Sequence, residues 1–275
     1  MRGRPAEGGS ETAKANQGKR SLMRRWMQLG LTGRMFLLVV IAVLPALVIQ
    51  AVNEYALRTS REDDIRQRVI QITKQFGEEI QAIRAGASQL LVALGELDEV
   101  QKRDTAECGA TFAKLKVRFE SYVRIGAADA TGKVFCSSGP VIEASVAETE
   151  FFNRAMAGEG LAVGNFFVDP ATKEKMIHFA ERFYDPNGKV AGIVFAGLDL
   201  KWLAEHLKER GLTPSQSILI ADRLGNIVAR LPNGEALVGK NMRKSHEDIM
   251  DGYTAGWEEA AGVDGLTRIF GYVPV

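Results

Sequence analysis

The sequence predicts an α+β chain: an N-terminal transmembrane helix, a long stalk helix, and two tandem α/β units built on antiparallel sheets. Three observations carry this reading. Met35–Val52 is an uncharged apolar run, with Gln50 as its single polar side chain. Apolar residues then recur at helical spacing from Ile65 to Leu97, and beyond residue 121 short strand-like segments with Gly and Pro turns come twice in similar order.

The apolar run reaches roughly 27 Å as a helix, enough to cross a thin hydrocarbon core. Net charge over the 275 residues is +1, but it is unevenly placed. Residues 1–34 hold eight Lys or Arg against two Glu, which is +6, so residues 35–275 sum to −5. A mildly acidic main region gives no reason to expect nucleic acid as a partner. Arg20, Arg24, Arg25 and Arg34 precede the run, so the positive-inside rule keeps residues 1–34 as a basic cytoplasmic tail and sends the chain after Val52 outward. The expected location is therefore a bacterial inner membrane, with the main domain periplasmic. A cleaved signal peptide is the competing reading; the long basic region, the length of the run and the poor Gln50-Ala51 cleavage site favour an uncleaved anchor. Pro45 marks a place where the span is expected to bend.

Residues 53–120 read as the stalk and a second helix. The stripe Ile65, Val69, Ile72, Phe76, Ile80, Ile83, Ala87, Leu90, Leu94, Leu97 follows intervals of three and four, and no Pro occurs from Asn53 to Gly139. Its near-heptad rhythm suits packing on its own domain and also a homodimer through the stalk. The second helix, about Arg103 to Ser121, carries Cys108. Cys136 follows in a strand, and the outer compartment permits either a disulfide or two separate buried thiols.

Residues 121–211 and 212–275 form the two units. Expected strands in the first are Tyr122–Asp129, Lys133–Ser137, Leu161–Val168, Lys175–Tyr184 and Lys189–Leu198, with a helix Glu148–Ala157. Asp199 caps a further helix, Leu200–Arg210. The strand, Asp-x-x-Gly turn, strand pattern at Asp129–Gly132 returns at Asp222–Gly225, an offset of 222 − 129 = 93. Two such hairpins at corresponding places point to a duplicated module. The second unit continues through a helix near Lys244–Asp251 and strands near Gly256–Ala261 and Leu266–Val273, joined by Val263-Asp264-Gly265. It is one strand short of the first, so the chain is expected to be a piece lacking a second span and an output domain.

This order of motifs resembles the extracytoplasmic double Cache sensor domain, two stacked PAS-like units, of the type found in membrane diguanylate cyclases and sensor histidine kinases. The matching stretches are Ile125-Gly-Ala-Ala-Asp129-Ala-Thr-Gly132-Lys-Val-Phe-Cys136, Gly192-Ile-Val-Phe-Ala-Gly197-Leu-Asp199, Ile220-Ala-Asp222-Arg-Leu-Gly225, Gly239-Lys240 and Asp264-Gly265-Leu-Thr-Arg268. The resemblance covers about residues 54–275. It implies a disulfide between Cys108 and Cys136, and a small-ligand pocket in the membrane-distal unit between the sheet and the Glu148–Ala157 helix.

Arg154, His178 and Arg182 are the polar candidates for that pocket, and an arginine pair points to a carboxylate ligand. The resemblance to the amino-acid-binding members also implies a ligand role for Asp199. Each has a plainer account: surface salt bridges for the arginines, a satisfied sheet residue for His178, an N-cap for Asp199. The aromatic and arginine pattern of the amino-acid binders is not evident around Phe151-Phe-Asn-Arg154.

Catalytic constellations are missing from the sequence. His178, His206 and His246 lack neighbours at metal-ligand spacing, and there is neither a Gly-x-Ser-x-Gly elbow nor a phosphate loop. No enzyme activity, metal or cofactor is expected. The function implied is the ligand-sensing input of a two-component or cyclic di-GMP signalling receptor. The alternative is a membrane-tethered solute-binding or scaffold protein without signalling output.

Overall fold

Helix α1 covers Leu31–Gly95 in the computed structural model, which describes residues 31–140, 144–158, 160–213, 216–243, 255–262 and 265–275. The expected Lys244–Asp251 helix, most of the basic tail, and Val263 and Asp264 lie outside the described residues. The chain divides into two compact units, Met1–Ile65 and Arg66–Val275.

In the first unit, Met35–Tyr55 is long and apolar enough to cross a membrane, and Pro45 lies within the helix. Phe36, Leu38, Ile41, Leu47 and Ile49 are all exposed. Such a continuous apolar surface is unfavourable in water and suits lipid.

The second unit begins with the remainder of α1. Phe76, Ala87, Leu91 and Leu94 are buried, and Ile72, Ile80, Ile83 and Leu90 pack partly buried beside them. Two short helices follow, α2 (Asp98–Gln101) and α3 (Thr105–Arg118). Asp104 caps α3 by accepting the Ala106 and Glu107 amides. A five-stranded antiparallel sheet comes next: β1 (Tyr122–Asp129), β2 (Val134–Ser137), β3 (Ala162–Val168), β4 (Lys175–Tyr184) and β5 (Val190–Asp199), in the order β2-β1-β5-β4-β3.

Period-two alternation gives this sheet two different faces. Ile125, Ala127, Phe179, Phe183, Val194 and Ala196 join the core with α1, α3 and α5 (Leu200–Lys208). Ala128, Ala180, Ile193 and Phe195 join a second core under α4 (Glu150–Ala157), whose Phe151, Phe152 and Ala155 are buried. The expected disulfide is present: Cys108 on α3 and Cys136 on β2 are fully buried, with Cα atoms 5.9 Å apart.

Beyond α5, β6 (Ile218–Ala221) pairs with β7 (Ile227–Leu231), and β8 (Gly256–Ala261) pairs with β9 (Thr267–Tyr272). The two Asp-x-x-Gly turns are the same in detail. Asp129 Oδ1 accepts the Thr131 and Lys133 amides at 2.8 and 3.1 Å. Asp222 Oδ1 accepts those of Leu224 and Asn226 at 3.0 and 2.8 Å. Gly132 and Gly225 take φ of 84° and 83°, the left-handed region that only glycine enters without strain. In both, a returning segment donates to the turn glycine carbonyl at 2.8 Å, from Val146 N and Met242 N. The likeness therefore extends past the hairpin into the segment that folds back over it. Asp185–Gly188 has the same turn bonds between β4 and β5.

Candidate functional site

The α4 face of the sheet holds a cavity of about 240 Å³. It opens beside the N-terminal end of α4, where Thr149, Glu150 and Phe151 line it. Thr149 is the N-cap, its hydroxyl accepting the Phe152 amide and donating to the Val146 carbonyl. The floor comes from alternate residues of the strands: Arg124 on β1, Met176 and His178 on β4, Phe195 on β5. Gly126 makes this floor flat, because a Cβ there would collide with the Phe195 ring. A register break in β3 between Val163 and Phe166 turns Asn165, Phe166 and Phe167 toward the cavity.

One ion pair anchors its polar side. Arg124 Nη2 meets Asp169 Oδ2 at 2.9 Å, and Asp169 is 1% exposed. Asp169 Oδ1 accepts the Ala171 and Thr172 amides at 2.8 and 3.1 Å. Burial pushes the Asp169 pKa up, but those amides and Arg124 outweigh it and leave it below the ordinary carboxylate range.

His178 is central and aromatic in its contacts. It stacks on Phe151 at 4.6 Å and meets Phe167 edge-on at 5.3 Å. Burial pushes its pKa down to about 4, Arg124 acts the same way, and Asp169 opposes. His178 is therefore neutral at pH 7 and serves as a wall with a polar edge. Asn165 donates to the Glu150 carboxylate, while its own Oδ1 is buried and accepts no hydrogen bond among the described residues. An orphaned acceptor lining a cavity is a recognition element waiting for a donor.

Of the four residues singled out in sequence, the structure brings only His178 to the cavity. Arg154 lies further along α4 and donates Nη1 to the Val163 carbonyl at 2.7 Å, with Glu150 at 3.8 Å. Arg182 does share the sheet face with His178, but it lies against Gly158 at the opposite end of α4 and over the Tyr184 ring. Asp199 ends β5 and caps α5, accepting the Lys201 amide at 2.8 Å. The carboxylate expectation thus loses both of its arginines. Arg124 is the arginine that lines the cavity, and it is paired with Asp169. Arg124 had a signal in sequence, as the one charge inside the apolar strand Tyr122–Ala128. Asp169 and Asn165 had none, since one reads as a turn former and the other as a surface amide. Among the described residues, no group of His, Cys, Asp and Glu could hold a metal ion.

The Cache domain family matches residues 57–275 of this chain. No curated protein sequence matches it. Among solved structures, the extracellular domain of rpHK1S-Z16, assigned as a histidine kinase, is 17% identical. Its TM-score is 0.62, with 80% of this chain and 90% of that chain covered. The ligand-binding domain of the Pseudomonas fluorescens chemoreceptor CtaA, in complex with L-serine, is 19% identical. Its TM-score is 0.58, covering 76% of this chain and 89% of that one. The ligand-binding domain of the Pseudomonas aeruginosa PAO1 amino-acid chemoreceptor PctB, with L-Arg, is 15% identical. Its TM-score is 0.57, covering 75% and 87%. At these identities the structural likeness establishes the fold.

Proposed function

This chain belongs to the Cache domain family, and on that premise we propose that it is the extracytoplasmic sensory input of a membrane receptor, with the cavity beneath α4 as its ligand site. The observation that carries the proposal is the cavity itself: roomy enough for a small molecule, lined in part by the rings of Phe151, Phe166, Phe167, His178 and Phe195, with a buried ion pair on one side and the unsatisfied Asn165 Oδ1 on another. The ligand inferred is small, with an apolar body for Phe151 and Phe167 and a hydrogen-bond donor for Asn165. The amino-acid complexes of CtaA and PctB support a ligand of that size.

In this reading Met35–Tyr55 anchors the chain in the inner membrane with the N-terminus cytoplasmic, and residues 121–211 and 212–275 are the membrane-distal and membrane-proximal PAS-like units. The stalk pairs with a second copy. A ligand that binds one conformation more tightly shifts a two-state equilibrium, which the stalk carries inward to a kinase or cyclase domain.

A thermal-shift screen of amino acids, amines, carboxylates and sugars tests the proposal. A ligand that stabilises the protein should lose its effect in Val134→Phe, which pushes a ring into the cavity from β2. Stabilisation unchanged by Val134→Phe would move the site elsewhere, and no stabilisation by any class would favour a partner or scaffold role.

A further inference from the structure

Strand β3 lies at the edge of the five-stranded sheet and, among the described strands, pairs with β4 alone. Val163 faces Phe179 and Phe166 faces Ile177, so Gly164 and Asn165 together oppose the single residue His178. That is a β-bulge, a point where an edge strand bends readily because one residue stands outside the ladder. The bulge belongs to the cavity. Asn165, Phe166 and His178 line it, and Asn165 donates to Glu150 at the start of α4.

Phe166 is also bonded to the β6–β7 hairpin. Its amide donates to Asp222 Oδ2 at 2.8 Å, and the same oxygen accepts the Asn226 side chain at 2.8 Å. Its ring fits over Gly239, where a Cβ would come within 2.7 Å of Cζ. Gly239 in turn donates to the Ile227 carbonyl at 2.8 Å, and Ile227 donates to the Lys240 carbonyl at 2.9 Å, so the ring rests on a segment laced to β7. Lys175, at the start of β4, donates to the Val238 carbonyl at 3.2 Å and fixes a second point of that segment. The side-chain hydrogen bonds of Asp129, in the first copy of the turn, stay within that turn among the described residues. Of the two copies, Asp222 is the one that reaches another strand.

We propose that this bulge couples the cavity to the β6–β7 hairpin: Asn165 registers what fills the cavity, and Phe166 passes the resulting shift of β3 to Asp222 and Gly239. The inference rests on the reading of the cavity as the ligand site and gives that site its regulation. Phe166 is cavity wall and tether at once. It cannot move on one side without disturbing the other, because an amide–carboxylate bond weakens steeply when it is stretched or bent. A group that fills the cavity presses Phe166 against Gly239 and holds the hairpin segment closed. By linkage, a segment held closed favours the filled cavity to the same degree.

The test fills the cavity from within the chain. Val134→Phe places a ring there from β2, the opposite edge of the sheet from β3, and hydrogen–deuterium exchange is followed on the full chain in a non-ionic detergent. Exchange over residues 227–242 should slow about fivefold, the lower end of ordinary coupling between sites. Asn165→Ala, which frees the bulge from Glu150, should speed exchange over the same residues. Asp222→Asn keeps the turn-forming oxygen but puts in place of Oδ2 an NH2 group that cannot accept the Phe166 amide. In that background Val134→Phe should leave the exchange unchanged. Asp185→Asn, in the like turn between β4 and β5, should not alter residues 227–242. If Val134→Phe fails to fold, Asn165→Ala with and without Asp222→Asn decides the matter. An unmoved 227–242 stretch, a response that survives Asp222→Asn in full, or an equal response to Asp185→Asn overturns the coupling. A thermal-shift screen without a hit removes the ligand and leaves the coupling standing, whereas an unmoved stretch removes the coupling and leaves the ligand site.

Discussion

Mild acid should destabilise this protein through His178, by an amount its surroundings set. The ring is 8% exposed, stacked on Phe151, and held to a pKa of about 4 against an ordinary 6.5. In the unfolded chain His178 takes up a proton as pH falls through 6.5; in the folded chain it does not until near 4. Between those values the unfolded state binds more protons, so stability is full above pH 6.5 and falls toward pH 4. Integrated from pH 7 to pH 5, the loss is about 2 kcal/mol. For a folded region of about 200 residues that is a drop in Tm of about 4–8 °C. His178→Phe places a non-titrating ring among Phe151, Phe167 and Phe195. Scanning calorimetry of both proteins at several pH values isolates the effect, because the difference between them cancels the contributions of all other groups. The variant should lose about 2 kcal/mol less than the wild type over that interval. Parallel pH curves would refute the reasoning, since they would mean the folded ring accepts a proton as readily as the unfolded one.

Three further outcomes are expected. Replacing Cys108 and Cys136 by Ala reopens a loop whose ends are 28 residues apart, and melting should fall by the equivalent of roughly 3–4 kcal/mol on the chain-entropy account; a Tm unchanged under reducing and oxidising conditions would count against the bond. Asp222→Ala takes the acceptor from the Phe166, Leu224 and Asn226 amides at a part-buried turn and should cost about 2–4 kcal/mol. Asp129→Ala, at the exposed copy of the same turn, should cost about 1 kcal/mol in denaturant titrations. Equal costs would show that the bond to β3 contributes nothing. Asp199→Ala should cost about 1 kcal/mol as a lost helix cap and leave the affinity of any cavity ligand unchanged; a lost affinity would restore Asp199 to the site.

Much of the architecture was legible because it rests on short-range rules. Strand β4 runs Lys175–Tyr184 and β8 runs Gly256–Ala261, both as their alternation and flanking turns indicate. The stalk stripe buries Phe76, Ala87 and Leu94 as its spacing requires. Leu91, 1% exposed and outside that stripe, joins the same core, because α1 buries more than one line of side chains there. The short helix α2 went unseen because four residues carry no periodicity.

The site was less legible. Helix α4 and the strand face of His178 and Arg182 do share one side of the sheet, yet α4 is long enough to set its two ends apart. Its N-terminus borders the cavity and its C-terminus lies at Arg182. Residue type and sheet face are local properties, whereas distance along a packed helix from a cavity is not.

The apolar span, the long helix after it, the strands and the repeated Asp-x-x-Gly turns were legible from residue order, because each depends on the spacing of neighbours within one element. Which charges meet depends on how those elements pack. Arg124 and Asp169 are 45 residues apart and pair across the cavity floor. Asp222 reaches back 56 residues to the Phe166 amide. Such meetings follow from sheet order and from a register break in β3, and those are set by packing that no local pattern encodes.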